Sequence, residues 1–153
     1  MFVQYMFLNE LLLCAFRANM YIPKGKTTQT EETKMKKIKA FENADRSRSL
    51  GEQNINGTVY WAYKNAQEAG NELLDFNEVI WDYDIEPILD ACKIYGITEF
   101  TISSTFSSLI ATLAEFDKRG CHMAGLTQVK ARYKDFTTGE NQLIPAIKMT
   151  IAE

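Results

Sequence analysis

Three cysteines, three prolines and a single histidine are all that this 153-residue chain has of the residues that cross-link, break or ligate. Cys14, Cys92 and Cys121 are odd in number and stand at no metal-ligand spacing, which argues against a disulfide framework and for a reducing, cytoplasmic setting. The eight glycines form neither a dinucleotide-binding fingerprint nor a Walker-type phosphate loop. No apolar run approaches the roughly 20 residues that span a bilayer. Positive charge is not in surplus: 17 Lys and Arg stand against 20 Asp and Glu, a formal net charge of −3. What is there is an average soluble composition, 46% apolar and 24% charged. The chain is long enough to bury one self-sufficient core.

The first 34 residues read differently from the rest. Met1–Phe16 is strongly apolar, but no Lys or Arg precedes it, and Asn9 and Glu10 interrupt it. It therefore lacks the form of a secretory signal; a disordered extension and a short amphipathic helix stay open. The genetic code supplies a third reading. Glu31 and Glu32 can be encoded by a purine-rich ribosome-binding core, two codons before Met35-Lys36-Lys37-Ile38. On that reading Met35 is the native initiator and residues 1–34 are translated leader. Residues 35–56 are polar and punctuated by Gly and Asn, and are expected to be a loose lead-in. Lys36, Lys37, Lys39, Arg46 and Arg48 make of it a solvated basic arm.

From residue 57 on, the spacing predicts a single domain of α/β class, with α+β as the alternative, in the order α-β-α-β-α-β-β. Val59, Ala62, Tyr63, Ala66, Ala69 and Leu73 recur at helical spacing over 58–75, with Tyr60 and Trp61 off the stripe. Glu78–Trp81 (EVIW) is expected as a strand. Asp84 is then the N-cap, and Pro87 a first-turn residue, of a helix that buries Ile85, Ile88, Leu89 and Cys92 and stops at Gly96. Thr98–Ile102 reads as the next strand. A Ser/Thr cluster then caps a helix over 106–119 that buries Phe106, Leu109, Ile110, Leu113 and Phe116. Val129, Ala131 and Tyr133 alternate with Lys130, Arg132 and Lys134 along one arm of a hairpin that turns at Asp135–Gly139 and returns over Leu143–Ile151. Lys148 is expected opposite the basic face, and Pro145 at an edge or bulge. The product is a small mixed four-stranded sheet with helices packed on it.

Charge is unevenly distributed. Residues 1–64 carry 10 basic and 6 acidic side chains, residues 65–153 carry 7 and 14. Between Glu68 and Asp90 lie eight acids (Glu68, Glu72, Asp75, Glu78, Asp82, Asp84, Glu86, Asp90) and no Lys or Arg. Such a window repels phosphate, so direct nucleic-acid binding is disfavoured. It is expected either as a solvated face or as an acidic surface for a basic, nucleic-acid-binding protein. Glu68, Glu72, Asp75 and Glu78, with Lys130, Arg132 and Lys134 of the hairpin, are the candidate partner-binding residues. Nothing points to a membrane partner.

For catalysis the residues are sparse. His122 follows Cys121 directly, and neighbours on a strand face opposite ways, so the two cannot readily share a metal or form a nucleophile pair. Neither a cofactor nor a metal site is implied, and a non-enzymatic role is favoured. The alternative is a phosphate-ligand or metal-binding site at the strand C-terminal edge, from Asp82, Asp84, Ser103, Ser104 and Thr105. Its spacing, an apolar strand ending in Asp-x-Asp and a later one ending in Ser, is similar to that of haloacid-dehalogenase phosphotransferases. The second paired-acid motif of that family is absent here, as is space for its insert.

The segments GITEFTISSTFSSLIATLAEFDKRGCHMAGL and VKARYKDFTTGENQLIPAIKM resemble a small domain of unknown function associated with phages and conjugative elements of Gram-positive bacteria. The likeness covers residues 36–153 and implies no activity, cofactor or catalytic residue. It favours a protein-interaction module of accessory or anti-defence type, such as a stoichiometric inhibitor of a CRISPR-type nuclease.

Overall fold

The structure is a computed structural model that describes residues 35–152. The readings of residues 1–34, and of Cys14 among them, lie outside the described residues. Four helices, α1 (Lys39–Glu42), α2 (Gly57–Ala69), α3 (Asp82–Tyr95) and α4 (Leu109–Lys118), accompany four strands, β1 (Asp75–Phe76), β2 (Glu99–Ile102), β3 (Cys121–Lys134) and β4 (Asn141–Ile151). The strands form one mixed sheet in the order β1-β2-β4-β3. β1 and β2 run parallel, and β4 is antiparallel to both β2 and β3. From α2 onward this is the expected α-β-α-β-α-β-β order, an α+β arrangement with a four-stranded mixed sheet.

The two central helices follow their apolar spacing. Val59, Ala62, Tyr63, Ala66 and Ala69 of α2 are buried, as are Ile85, Ile88, Leu89 and Cys92 of α3. Asn56 caps α2 by accepting the Val59 N–H at 3.0 Å. Both helices end in Schellman closures on a left-handed glycine. At Gly70 (φ 75°) the Asn71 N–H reaches Ala66 O at 2.8 Å, and at Gly96 (φ 66°) the Ile97 N–H reaches Cys92 O at 2.8 Å. Both helices contribute to a core that meets one face of the sheet at Phe76, Phe100, Ile102, Met149 and Ile151.

Several local expectations are corrected. Glu78–Trp81 is not a strand: only Ile80 of it is buried, and Val79 and Trp81 stand 44% and 57% exposed. The strand is Asp75–Phe76, whose acid finds buried partners on β2. α3 begins at Asp82 behind an N-cap at Trp81, so Asp84 is a first-turn residue and Pro87 lies in the second turn. α4 has no side-chain cap, and Ile110 on it is 84% exposed. Tyr60 is buried because the lead-in is not loose. Phe41 of α1 inserts among Tyr60, Tyr63 and Tyr95, with ring centroids 5.7, 5.2 and 4.6 Å away.

The hairpin is longer than its alternation suggests, because β3 starts at Cys121. Its register shifts at Ala124, between the pairs Met123–Met149 and Gly125–Lys148, and again between Lys130 and Lys134. The first shift puts Lys148 opposite Gly125 rather than opposite the basic residues, and Lys148 pairs with Glu99 at 2.9 Å. Pro145 is placed where it costs no ladder bond. The Ile151 N–H points to Thr98 O beside β2, so by alternation residue 145 faces the same side, where β2 has already ended opposite Ile147.

β1 and β3 are the two edges of the sheet, yet the segments flanking β1 meet β3. The Asn71 side chain donates to Lys130 O at 3.0 Å and accepts the Lys130 N–H at 2.7 Å. Glu78, on the other side of β1, holds Arg132 at 3.0 Å. Asn71 thus occupies one position on the outer edge of β3 as a strand residue would. We predict that Asn71→Ala lowers stability by about 1–3 kcal/mol, leaving both Lys130 groups without a protein partner. Asn71→Asp should fall between Ala and the wild type, since it can accept but not donate; urea unfolding measures both.

Candidate functional site

Opposite the core face, β1 and β2 place a carboxylate between hydroxyls. Asp75 and Thr101 are register partners, and Ser103 follows two residues on, with its side chain on the same face. Thr101 Oγ1 donates to Asp75 Oδ1 at 2.7 Å and Ser103 Oγ to Oδ2 at 2.6 Å. All three residues are buried, Asp75 to 4% exposure. Burial pushes the Asp75 carboxyl above its ordinary value, against the opposing pull of the two hydroxyls and the Ser103 N–H. The cluster is closed on itself. Each carboxylate oxygen has its hydroxyl, and among the described residues no buried side-chain polar atom lacks a partner.

This arrangement reassigns the sequence candidates. Asp75 leaves the acidic surface for the interior. Asp82 and Asp84 do not end a strand; they open α3, exposed and half-exposed, and neither hydrogen-bonds Ser103. Ser104 is buried and Thr105 exposed. The strand-end resemblance to the haloacid-dehalogenase pattern therefore does not carry into three dimensions, because the carboxylate facing Ser103 is Asp75. The signal for Asp75 was an acid set directly between Leu74 and Phe76, an apolar neighbourhood in which a carboxylate needs nearby donors. Among the described residues no group of three or more His, Cys, Asp or Glu side chains is placed to hold a metal ion.

Cys121 and His122 face opposite ways. Cys121 is buried and His122 exposed, its Nδ1 against Asp117 Oδ1. Burial pushes the Cys92 and Cys121 thiols up to about 12, so neither is a thiolate near neutrality. A cleft of about 150 Å³ opens beneath the lead-in, lined by Met35, Ile38, Tyr63, Leu74, Tyr95 and Ile97, with Lys36, Glu72 and Glu99 as its charged members. The Tyr63 hydroxyl donates to Glu42 at 2.9 Å.

The remaining surface candidates divide by whether they are paired. Arg132 and Glu78 satisfy each other. Lys130 and Lys134 are exposed beyond them. Tyr133 is 74% exposed, with the Arg132 guanidinium 5.1 Å from its ring centre. On the acidic side, Glu68, Glu72, Asp82, Glu86 and Asp90 are exposed and Asp84 half-exposed. None of these six forms an ion pair among the described residues. Glu42, Glu52, Glu78, Glu99, Glu115 and Asp117 each do, as the seven close contacts to Lys, Arg or His record. Asp82, Glu86 and Asp90 stand at i, i+4 and i+8 along α3, one ridge of like charge. Beside it Trp81 and Tyr83 stack with interplanar angle 3° and ring centroids 6.5 Å apart, 57% and 75% exposed. Ile94, at the far end of the same helix, is 77% exposed.

No helix among the described residues is long and apolar enough to cross a membrane. A family model described as Domain of unknown function (DUF7698) matches residues 58–151, from the first turn of α2 to the last residue of β4. No curated protein and no solved structure matches the chain.

The buried carboxylate makes a pH-dependent prediction. With its folded-state value above that of the unfolded chain, Asp75 holds its proton more tightly when folded. The resulting stability is present in full below the ordinary carboxylate range and is lost as pH rises through the raised value. Asp75→Asn keeps the shape, accepts from Thr101 and donates to Ser103. Its stability at neutral pH should equal or exceed that of wild type, and this loss should vanish. Asp75→Ala strands both hydroxyls and should cost about 1–3 kcal/mol. Urea titrations at acid and at neutral pH separate the two.

Proposed function

The chain belongs to the DUF7698 family, a domain of unknown function, and we propose that it is a non-enzymatic protein-binding module whose contact surface is the acidic outer face of α3 and the turn that follows α2. The observation that carries this reading is the row Asp82, Glu86 and Asp90 along α3, none of which forms an ion pair among the described residues, whereas Glu42, Glu52, Glu78, Glu99 and Glu115 each pair with a Lys or Arg. Like charges at i, i+4 destabilise a helix by a few tenths of a kcal/mol. A face that carries this cost and presents exposed Trp81, Tyr83 and Ile94 beside it has the composition of a contact surface, since aromatic side chains are enriched at interfaces. Its partner is a protein with a basic groove.

The finer form of the proposal concerns what that groove does. Carboxylates spaced along a helix repel phosphates and attract the Lys and Arg side chains that bind them. We take the module to be an accessory protein of a phage or conjugative element of Gram-positive bacteria. It would act as a stoichiometric inhibitor that occupies the nucleic-acid groove of a defence nuclease, such as one of CRISPR type. The compartment in which it works is the cytoplasm. No cofactor or metal enters this role.

The test is capture by the full chain from a nuclease-treated Gram-positive lysate, beside the variant D82N/E86Q/D90N. Wild type should retain one stoichiometric protein that elutes with rising salt and loses its own nucleic-acid binding when the chain is added at equal concentration. The variant, still folded with an unfolding midpoint within the small shift that relief of the like-charge cost allows, should bind at least tenfold more weakly, about 1.4 kcal/mol. Equal retention by the variant contradicts the assignment of this face.

A further inference from the structure

β3 is an edge strand, and the stretch of it between Cys121 and Val129 contains no Asp, Glu, Lys or Arg. Natural edges are guarded by charge, proline or a covering segment. Here the outer side is guarded at Lys130, where Asn71 fills it. Residues 122–124 and 126–128 are exposed, Met123 to 58% and Leu126 to 81%.

The direction of each backbone group follows from two bonds. Asn71 takes both the N–H and the C=O of Lys130, so these point away from β4 and, by alternation, so do those of Gln128 and Leu126. At the other end Gly120 O accepts the Ala152 N–H at 2.8 Å, toward β4, so the groups of Met123 point outward. The extra residue Ala124 separates the two phases. Among the described residues no hydrogen bond from outside the hairpin reaches the outward groups of Met123, Leu126 or Gln128. The open positions Met123 and Leu126 are thus three residues apart instead of two. An ordinary extended strand cannot match that spacing. A second copy running antiparallel can, because it carries the same bulge.

We propose that this edge is a self-association surface, on which two copies of the chain pair β3 with β3 about a two-fold axis between Ala124 and Gly125. Met123 then lies opposite Leu126 of the other copy, with outward N–H and C=O groups on both residues, and the same pair recurs across the axis. Their side chains share the sheet face that carries Met149 and Ile147, their register partners on β4. His122 falls opposite Thr127, so no like charges meet. Pairing ends in one direction at Lys130, whose outward groups Asn71 already holds, and in the other at Cys121, which is fully buried. The contact is short, so the dimer is a reversible one.

Sedimentation equilibrium of the full chain over a concentration series tests this. The apparent mass should climb from 17.5 kDa toward twice that value. M123K/L126K opposes like charges and should stay monomeric at every concentration, with its unfolding midpoint unchanged. M123K/L126E opposes Lys to Glu in this register and should recover association. A wild type that stays at the monomer mass overturns the proposal, as does equal association by M123K/L126K or no recovery in M123K/L126E. Amide exchange on the wild type gives a second reading that needs no variant. Met123 and Leu126 should exchange more slowly as concentration rises, and unchanged rates overturn the proposal.

Discussion

A single side-chain amide holds the outer edge of β3 against the segment that leads into β1. Asn71 makes with Lys130 the two bonds that a neighbouring strand would make, and it does so from the residue after the Gly70 that ends α2. The consequences spread from there. A first strand of two residues is a weak edge by itself, and here its flanks are tied to β3 by Asn71 before it and Glu78 after it. Asp75 lies in sequence between those ties; it is buried and takes hydroxyls from Thr101 and Ser103. The same bridge blocks further pairing along β3 at Lys130 and leaves Met123 to Gln128 open.

How far the fold was legible follows from which interactions are local. The stripes of α2 and α3 and the Gly96 that ends α3 are local and were readable from spacing, whereas the helix read over 58–75 ends at Ala69, because Gly70 takes the left-handed conformation that closes it. The turn at Asp135–Gly139 is equally local: the Asp135 carboxylate accepts the Thr137 and Thr138 N–H groups at 2.8 and 2.9 Å. What escaped depends on distant partners. EVIW has the composition of a strand, but the β2 edge was taken by Asp75 and Phe76, whose acid becomes tolerable only through hydroxyls 26 and 28 residues away. Phe41 sits in a polar stretch and joins the core because Tyr60, Tyr63 and Tyr95 form a cage for it. β3 was seen only from Val129 because the bulge at Ala124 breaks the period-2 pattern upstream of it.

Which of the candidate acids are exposed was legible only in part. A window of acids without Lys or Arg does mark exposed charge at Glu68, Glu72, Asp82, Glu86 and Asp90. Composition alone could not reveal that Asp75 turns inward or that Glu78 is neutralised by Arg132, more than fifty positions along the chain. On the proposed reading the stacked Trp81 and Tyr83 would offer a partner apolar area to bury beside carboxylates that form no ion pair among the described residues.

The measurement that bears most directly on this account is backbone amide exchange at Lys130. If Asn71 stands in for a strand, the Lys130 N–H exchanges as slowly as the paired amides of β4, although it lies on the outside of an edge strand. Its outward neighbour at Gln128 exchanges rapidly in dilute solution. Rapid exchange at both positions would contradict the edge closure, and with it the limit that closure sets on pairing along β3.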